Sequence, residues 1–251
     1  MRCLPSAVLA AVLALLAPTL AHAGYCIDST EQKDPETALL KVASGKRDKD
    51  VVLTASGGLW CIINGPGDDN TPTTAKVRDK RIALVTKACS KIIPARDKAK
   101  KEAAADVEDA MAALARDCAR HLVQNAVPVL GDHDLFADVT GGKYSWYEPP
   151  PYEIVATSRD ARARLFVLER FRAAIAEVGT QKLKGWKITV WHKHRLDALA
   201  ALEKVATADD VAFLDEVIAA TPGKDKKENK VVAAAQRARE AALARPAGSP
   251  P

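Results

Sequence analysis

The chain has 251 residues, 48% hydrophobic but only 5% aromatic, and carries 37 Lys and Arg against 32 Asp and Glu for a formal charge of +5. Basic and acidic residues alternate along it instead of gathering into one basic stripe, which excludes the usual footprint of a nucleic-acid-binding protein. Small apolar side chains beside abundant Lys, Arg and Glu favour helices over sheets, because Ala, Leu, Lys, Arg and Glu have the best helix propensities, and an all-α fold is the expectation.

Residues 1–23 read as an export signal. Arg2 supplies the positive start, Ala7 to Leu16 is an unbroken apolar run, and Ala21-His22-Ala23 offers the small-x-small pattern before cleavage at Gly24. The apolar core is shorter than the roughly 20 residues that span a bilayer, so the segment is expected to be removed and not kept as an anchor. A lipid anchor at Cys26 is disfavoured by bulky Tyr25 before it. The expected location is the periplasm or the secreted space, with no integral membrane segment after cleavage.

The first mature helix starts at Asp34 as N-cap, with Pro35 at its first position and Glu36 in its first turn, and runs to about Ala43. A second, from about Asp48, carries Val52, Ala55, Leu59 and Ile62 at helical spacing and ends at Asn64-Gly65-Pro66-Gly67, which opens a polar linker to Thr74. A third spans roughly Thr74 to Ile93 with Ile82, Val85, Cys89 and Ile92 on its stripe, until Pro94 stops or kinks it. A fourth, to about Asn125, shows Val107, Met111, Leu114, Cys118 and Leu122 at spacings of three and four.

From Ala126 to Thr157 the helical period is lost, and a loop of that length is expected to be either functional or disordered. Ser158 then reads as the cap of a helix carrying Leu165, Leu168, Phe171, Ile175 and Val178 and closed by Gly179. The alternating, β-branched stretch Trp186 to Trp191 allows a short strand, paired with Tyr152 to Ala156. Leu196, Leu199, Leu202 and Val205 mark the next helix. Thr207 with Asp210 forms a capping-box start for another, with Val211, Leu214, Val217 and Ile218, which stops at Thr221-Pro222-Gly223. A charged turn, Lys224 to Glu228, precedes a last helix with Val231, Val232, Ala235, Ala238 and Leu243. The division expected is a cleaved signal at 1–23, a disulfide-bearing helical region at 24–125, an aromatic and Pro-rich loop insertion at 126–157, a second helical region at 158–245, and a disordered tail at 246–251.

Residues 207–244 pair a short apolar helix with an Ala-rich one across a polar turn, a unit that resembles a HEAT repeat, whose second helix begins with an acidic turn followed by Val and then Ala and Leu at four-residue intervals. Residues 35–63 resemble the same unit through Asp48, Asp50 and Val51, then Ala55 and Leu59. The resemblance implies an irregular HEAT-like α-solenoid, in which neighbouring helix pairs bury each other and leave a long face for partners; the alternative architecture is an irregular helical bundle.

Export into an oxidising space makes Cys26, Cys61, Cys89 and Cys118 disulfide candidates. A hairpin of the first two helices brings Cys61 near the Cys26 segment. Straight helices meeting at Pro94 would hold Cys89 and Cys118 about 28 Å apart, so their pairing requires the chain to turn near Ala103 to Asp106, with Pro94 only a kink. The sequential pairing is preferred over Cys61 with Cys118 and Cys26 with Cys89.

The strongest candidate for function is the central loop, where Tyr144, Trp146, Tyr147 and Tyr152 cluster beside Pro149-Pro150-Pro151. Aromatic rings give large contact area at low entropic cost and prolines stiffen their support, which suits recognition of a protein or glycan; the same rings would equally cover an exposed end of the helical core. Pro149 to Tyr152 matches a WW-domain ligand by coincidence, since an exported chain rarely meets such a domain. Asp132-His133-Asp134 with Asp138 reads as a solvated turn more than a metal site, His192-Lys193-His194 as exposed, and His121 as a boundary residue. There is no Gly-x-Ser-x-Gly elbow, His-Glu-x-x-His pair, P-loop or dinucleotide fingerprint, so no cofactor, metal or catalytic residue is assigned and an enzyme is the less favoured reading. The expectation is an exported, non-catalytic helical-repeat protein that binds an unknown protein partner in the cell envelope; the alternative is an envelope ligand-binding or hydrolytic protein using the 132–152 loop.

Overall fold

The computed structural model describes residues 34–64, 74–99, 105–179, 181–223 and 225–246. The expectations for the signal, Cys26, the 65–73 part of the linker and the 247–251 end of the tail lie outside the described residues. The fold is all-α. Ten α-helices, one 3-10 turn (Ala208–Asp210) and one hairpin of two-residue strands make up the regular structure among these residues: α1 (Pro35–Ala43), α2 (Lys49–Asn64), α3 (Ala75–Ala99), α4 (Ala105–Gln124), β1 (Val129–Leu130), β2 (His133–Asp134), α5 (Leu135–Thr140), α6 (Tyr152–Thr157), α7 (Ala163–Gly179), α8 (Trp186–Val205), α9 (Val211–Ala220) and α10 (Lys226–Leu243). They fall into two compact units, Met1–Cys118 and Ala119–Pro251, whose boundary lies within α4.

In the first unit, α1 begins as its sequence dictates. The Asp34 carboxylate accepts from the Glu36 N–H at 3.1 Å and from Thr37 Oγ1 at 2.6 Å, so the free donors of the first turn are met by the cap. α1 packs on α2, and both touch α3. Val52, Ala55, Leu59 and Ile62 of α2 are all buried, as their spacing predicts, and so are Val85, Cys89 and Ile92 of α3. A glycine is required at 58: a Cβ there would lie 2.3 Å from Pro35 Cβ, so the bare backbone lets α1 start against α2. α3 passes through Pro94 to Ala99 and α4 starts at Ala105. Cys89 and Cys118 are joined by a disulfide with their Cα atoms 5.1 Å apart, so the sequential pairing holds for this bridge and Pro94 does not end the helix. Cys61 is buried and disulfide-bonded as well.

The second unit corrects the sequence reading at three places. Residues 126–157 are not an unstructured insertion. Leu130 pairs with His133 and Val129 with Asp134 across a turn at Gly131, which has φ +57, and two six-residue helices, α5 and α6, follow. Helices that short cannot display a 3.6-residue period, which is why none was visible. Trp186 to Trp191 is not a strand but the first turns of α8, and Tyr152 to Thr157 is helix α6, so the expected strand pair does not exist. Local β-propensity there is overridden because the apolar face further along the helix, Ala198, Leu199, Ala201 and Leu202, is fully packed. Ser158 caps the end of α6, its hydroxyl donating to the Val155 carbonyl at 2.7 Å, and does not start α7. The buried stripe of α7 is Ala163, Val167, Leu168, Phe171 and Ala174, which leaves Leu165 exposed.

Helix α8 organises this unit: α6 and α7 pack on it, and so does α10, which in turn packs on α9. The turn before α9 is held by Asp210, whose carboxylate accepts the Thr207 N–H at 2.9 Å and both Nε and Nη2 of Arg164 at 2.7 and 2.8 Å. The acidic residue foreseen as half of a capping box therefore also ties the start of α7 to the start of α9. α10 starts at Asp225, which accepts from the Lys227 and Glu228 N–H groups; those two bonds hold its carboxyl below the usual range. Its buried face is Val231, Ala234, Ala235, Ala238 and Ala242, one position short of exposed Leu243.

Candidate functional site

The four aromatic residues singled out in the sequence do not share one environment. Tyr152 and Trp146 are buried, 2% and 5% exposed, Tyr144 is half-buried, and Tyr147 is 50% exposed. They therefore do not form one recognition surface: two of them seal the helical core, and one projects.

The buried pair is centred on His194. Its Nδ1 lies 2.8 Å from the Trp146 carbonyl, and its Nε2 lies 2.9 Å from the Tyr152 hydroxyl. A carbonyl can only accept, so Nδ1 carries the ring proton and Nε2 of the neutral imidazole accepts from Tyr152. The Tyr152, Trp191 and Phe171 rings surround the imidazole at 5.4, 5.5 and 6.5 Å between centroids. Burial pushes the His194 pKa down and the Tyr152 pKa up, so both groups are held neutral. A tyrosine against a histidine could pass a proton, but His194 is only 1% exposed and a substrate has no access to it. The pair is a clasp that fixes the 141–151 segment to α8.

That segment is fastened at further points. The Trp146 N–H donates to Glu177 at 3.3 Å, the Tyr144 hydroxyl donates to the Val139 carbonyl at 2.6 Å, and Ser145 Oγ accepts the N–H groups of Tyr147 and Glu148 at 3.2 and 3.0 Å. The turn at 145–148 holds Tyr147 outward. There its ring meets the Trp186 ring edge to face, centroids 5.4 Å apart, with the Trp146 ring behind it at 5.9 Å. Trp186 is 56% exposed, and Lys184 and Lys187 on either side of it in the chain are exposed as well. Trp186 was not among the residues picked from the sequence. Reading 186–191 as a strand hid it, although Lys184-Gly185-Trp186-Lys187 sets the aromatic between two lysines.

Other candidates resolve into structure. Asp134 caps α5 through the Ala137 N–H at 3.0 Å and pairs with Arg162, which also binds Asp160; hydrogen bonds from Arg162 hold both carboxyls below their usual range. His192 and His194 are not exposed but buried in α8, and His121 is buried on α4. Among the described residues no group of three or more His, Cys, Asp or Glu could hold a metal ion, and no helix is long and apolar enough to cross a membrane. A groove of about 550 Å³ runs beside Pro149 to Ile154, lined by Lys193, Asp197 and Lys204 of α8. Its Lys193 and Asp197 pair with each other at 2.5 Å, so these two polar groups satisfy one another across a helical turn.

No family model, no curated protein and no solved structure matches this chain.

Proposed function

We propose that the protein is an exported, non-catalytic binding protein whose recognition surface is the Tyr147–Trp186 pair, with Lys184 and Lys187 next to Trp186 in the chain. The observation that carries this reading is that two large rings stand half exposed while the backbone beneath them is fixed by the His194 clasp, Glu177 and Ser145. Rings held in place before binding lose little freedom on contact, and aromatic side chains at the centre of an interface contribute most of its energy. Flanking lysines suit a partner that presents an apolar side chain next to acidic residues. The expected export signal places the partner in the periplasm or outside the cell.

We further propose that the helices form an irregular HEAT-like solenoid. The units that resemble the repeat coincide with the helix pairs α1–α2 and α9–α10, and within the second unit α10 is shared between α9 and α8, as stacked pairs require. A catalytic reading gains no support from the buried tyrosine and histidine, which are sealed from solvent.

The test compares capture of partners by the exported protein and by the Y147A/W186A double variant from the same envelope extract. The proposal expects a protein that the wild type enriches and the variant does not, at an unchanged melting midpoint.

A further inference from the structure

A second concavity in the Ala119–Pro251 unit, of about 370 Å³, lies where α7, α8 and α9 meet. Phe171, Ile175, Val178, Trp191, Phe213 and Val217 give it apolar walls. Set into those walls is one arginine. Arg195 Nη2 donates to His192 Nδ1 at 2.7 Å, its guanidinium carbon lies 5.5 Å from the Trp191 ring centroid, and its Nε is buried with no hydrogen-bond partner. Four other arginines of this unit, Arg162, Arg164, Arg237 and Arg239, each form an ion pair with a carboxylate. Among the described residues none pairs with Arg195; Asp225 and Glu228 act on it only from a distance. Burial pulls its pKa below the ordinary arginine value, the sign of a cation whose desolvation is incompletely offset.

We propose that this cavity is a binding site for a small organic carboxylate with an apolar body, such as a fatty or aromatic acid, whose carboxylate pairs with the Arg195 guanidinium while its body lies against Phe171, Trp191 and Phe213. Arg195 lines the cavity with no carboxylate partner among the described residues and with the Trp191 ring beside it, the setting in which a charge-assisted N–H to carboxylate bond is strong. The volume falls within the range of small-molecule pockets. Glu216 also lines the cavity but is exposed, and its like charge disfavours an anion beside it, which assigns the carboxylate end to Arg195. The site is separate from the Tyr147–Trp186 surface and does not depend on it.

Calorimetric titration of the exported protein with decanoate and with 2-naphthoate, and with the matching alcohols decanol and 2-naphthol, tests the proposal. It expects one saturable site for at least one of the acids, with the matching alcohol weaker by about tenfold or more, the worth of one charge-assisted hydrogen bond. R195M should lose that preference for the acid. A220W, which fills the exposed rim from a position outside the core, should lose binding while the melting midpoint is kept. Failure of both acids to bind, equal binding of acid and alcohol, or an R195M protein that keeps the acid preference would each overturn it. If R195M does not fold, the acid and alcohol comparison and the A220W variant decide.

Discussion

Replacing Tyr152 by phenylalanine removes one oxygen atom from the His194 clasp and leaves the ring in place. In the folded variant Nε2 of His194, a residue 1% exposed, is left facing aromatic rings without the Tyr152 donor. An acceptor stranded in that way costs about 1–3 kcal/mol. For a unit the size of Ala119–Pro251, a loss of about 2 kcal/mol lowers the thermal midpoint by roughly 5–10 °C. The pH dependence gives an independent check. Because burial depresses the His194 pKa, the unfolded chain binds a proton that the native state resists, so stability is fully present above about pH 6.5 and is lost as pH falls through the lower native value; buried His192, shifted the same way, adds to that slope. Protonating Nε2 also breaks the bond from Tyr152, so the gap between wild type and Y152F should narrow on acidification. Circular dichroism melts of both proteins at about pH 7.5 and about pH 5.5 measure all of this. A Y152F midpoint within about 1 °C of wild type at neutral pH would refute the clasp, because a stranded buried acceptor cannot be free of cost.

Three further outcomes are expected. Asp210→Ala strands Arg164 and releases the Thr207 N–H together, so it should destabilise the protein by about 3 kcal/mol, while Asp209→Ala beside it, exposed and 3.5 Å from Arg164, should cost under about 1 kcal/mol; urea melts compare the two. Gly58→Ala drives a methyl into Pro35 and should lower stability by about 1–3 kcal/mol despite the better helix propensity of alanine, which a urea melt reads as a lower midpoint. Peptide mapping without reduction should recover Cys89 and Cys118 in one linked peptide, and the C89S/C118S variant should lose about 3 kcal/mol for a loop of this length.

The elements most legible in the sequence were those with both a cap and several turns. Asp34 with Pro35 marked α1, the Val52 to Ile62 spacing marked α2, and Thr207 with Asp210 marked the entry to α9, because capping chemistry and apolar period act locally. What escaped reading was set by tertiary contact. The six residues of α6 follow three prolines and are too few for a period, and Trp186 to Trp191 has strand-like chemistry that packing further along α8 overrides. His192 and His194 looked exposed because the helix was read as beginning at about Leu196, which left both in the segment before it. In α8 both sides are covered, His194 by α6 and α7 and His192 near the start of α10. The aromatic cluster was correctly seen as unusual, but sequence spacing could not separate Tyr147, which projects, from Trp146 and Tyr152, which the histidine holds inside.

The proposed recognition surface is tested most directly by setting Y147A/W186A against Trp146→Ala in one capture and melting experiment. The double variant should keep its midpoint within about 2 °C, since exposed side chains carry little stability, and should lose the partner that the wild type captures. Trp146→Ala should instead cost about 3 kcal/mol or more through the cavity it opens. A double variant that still captures the same partner as the wild type, or a wild type that captures nothing beyond the double variant, would contradict a recognition role for the Tyr147–Trp186 pair.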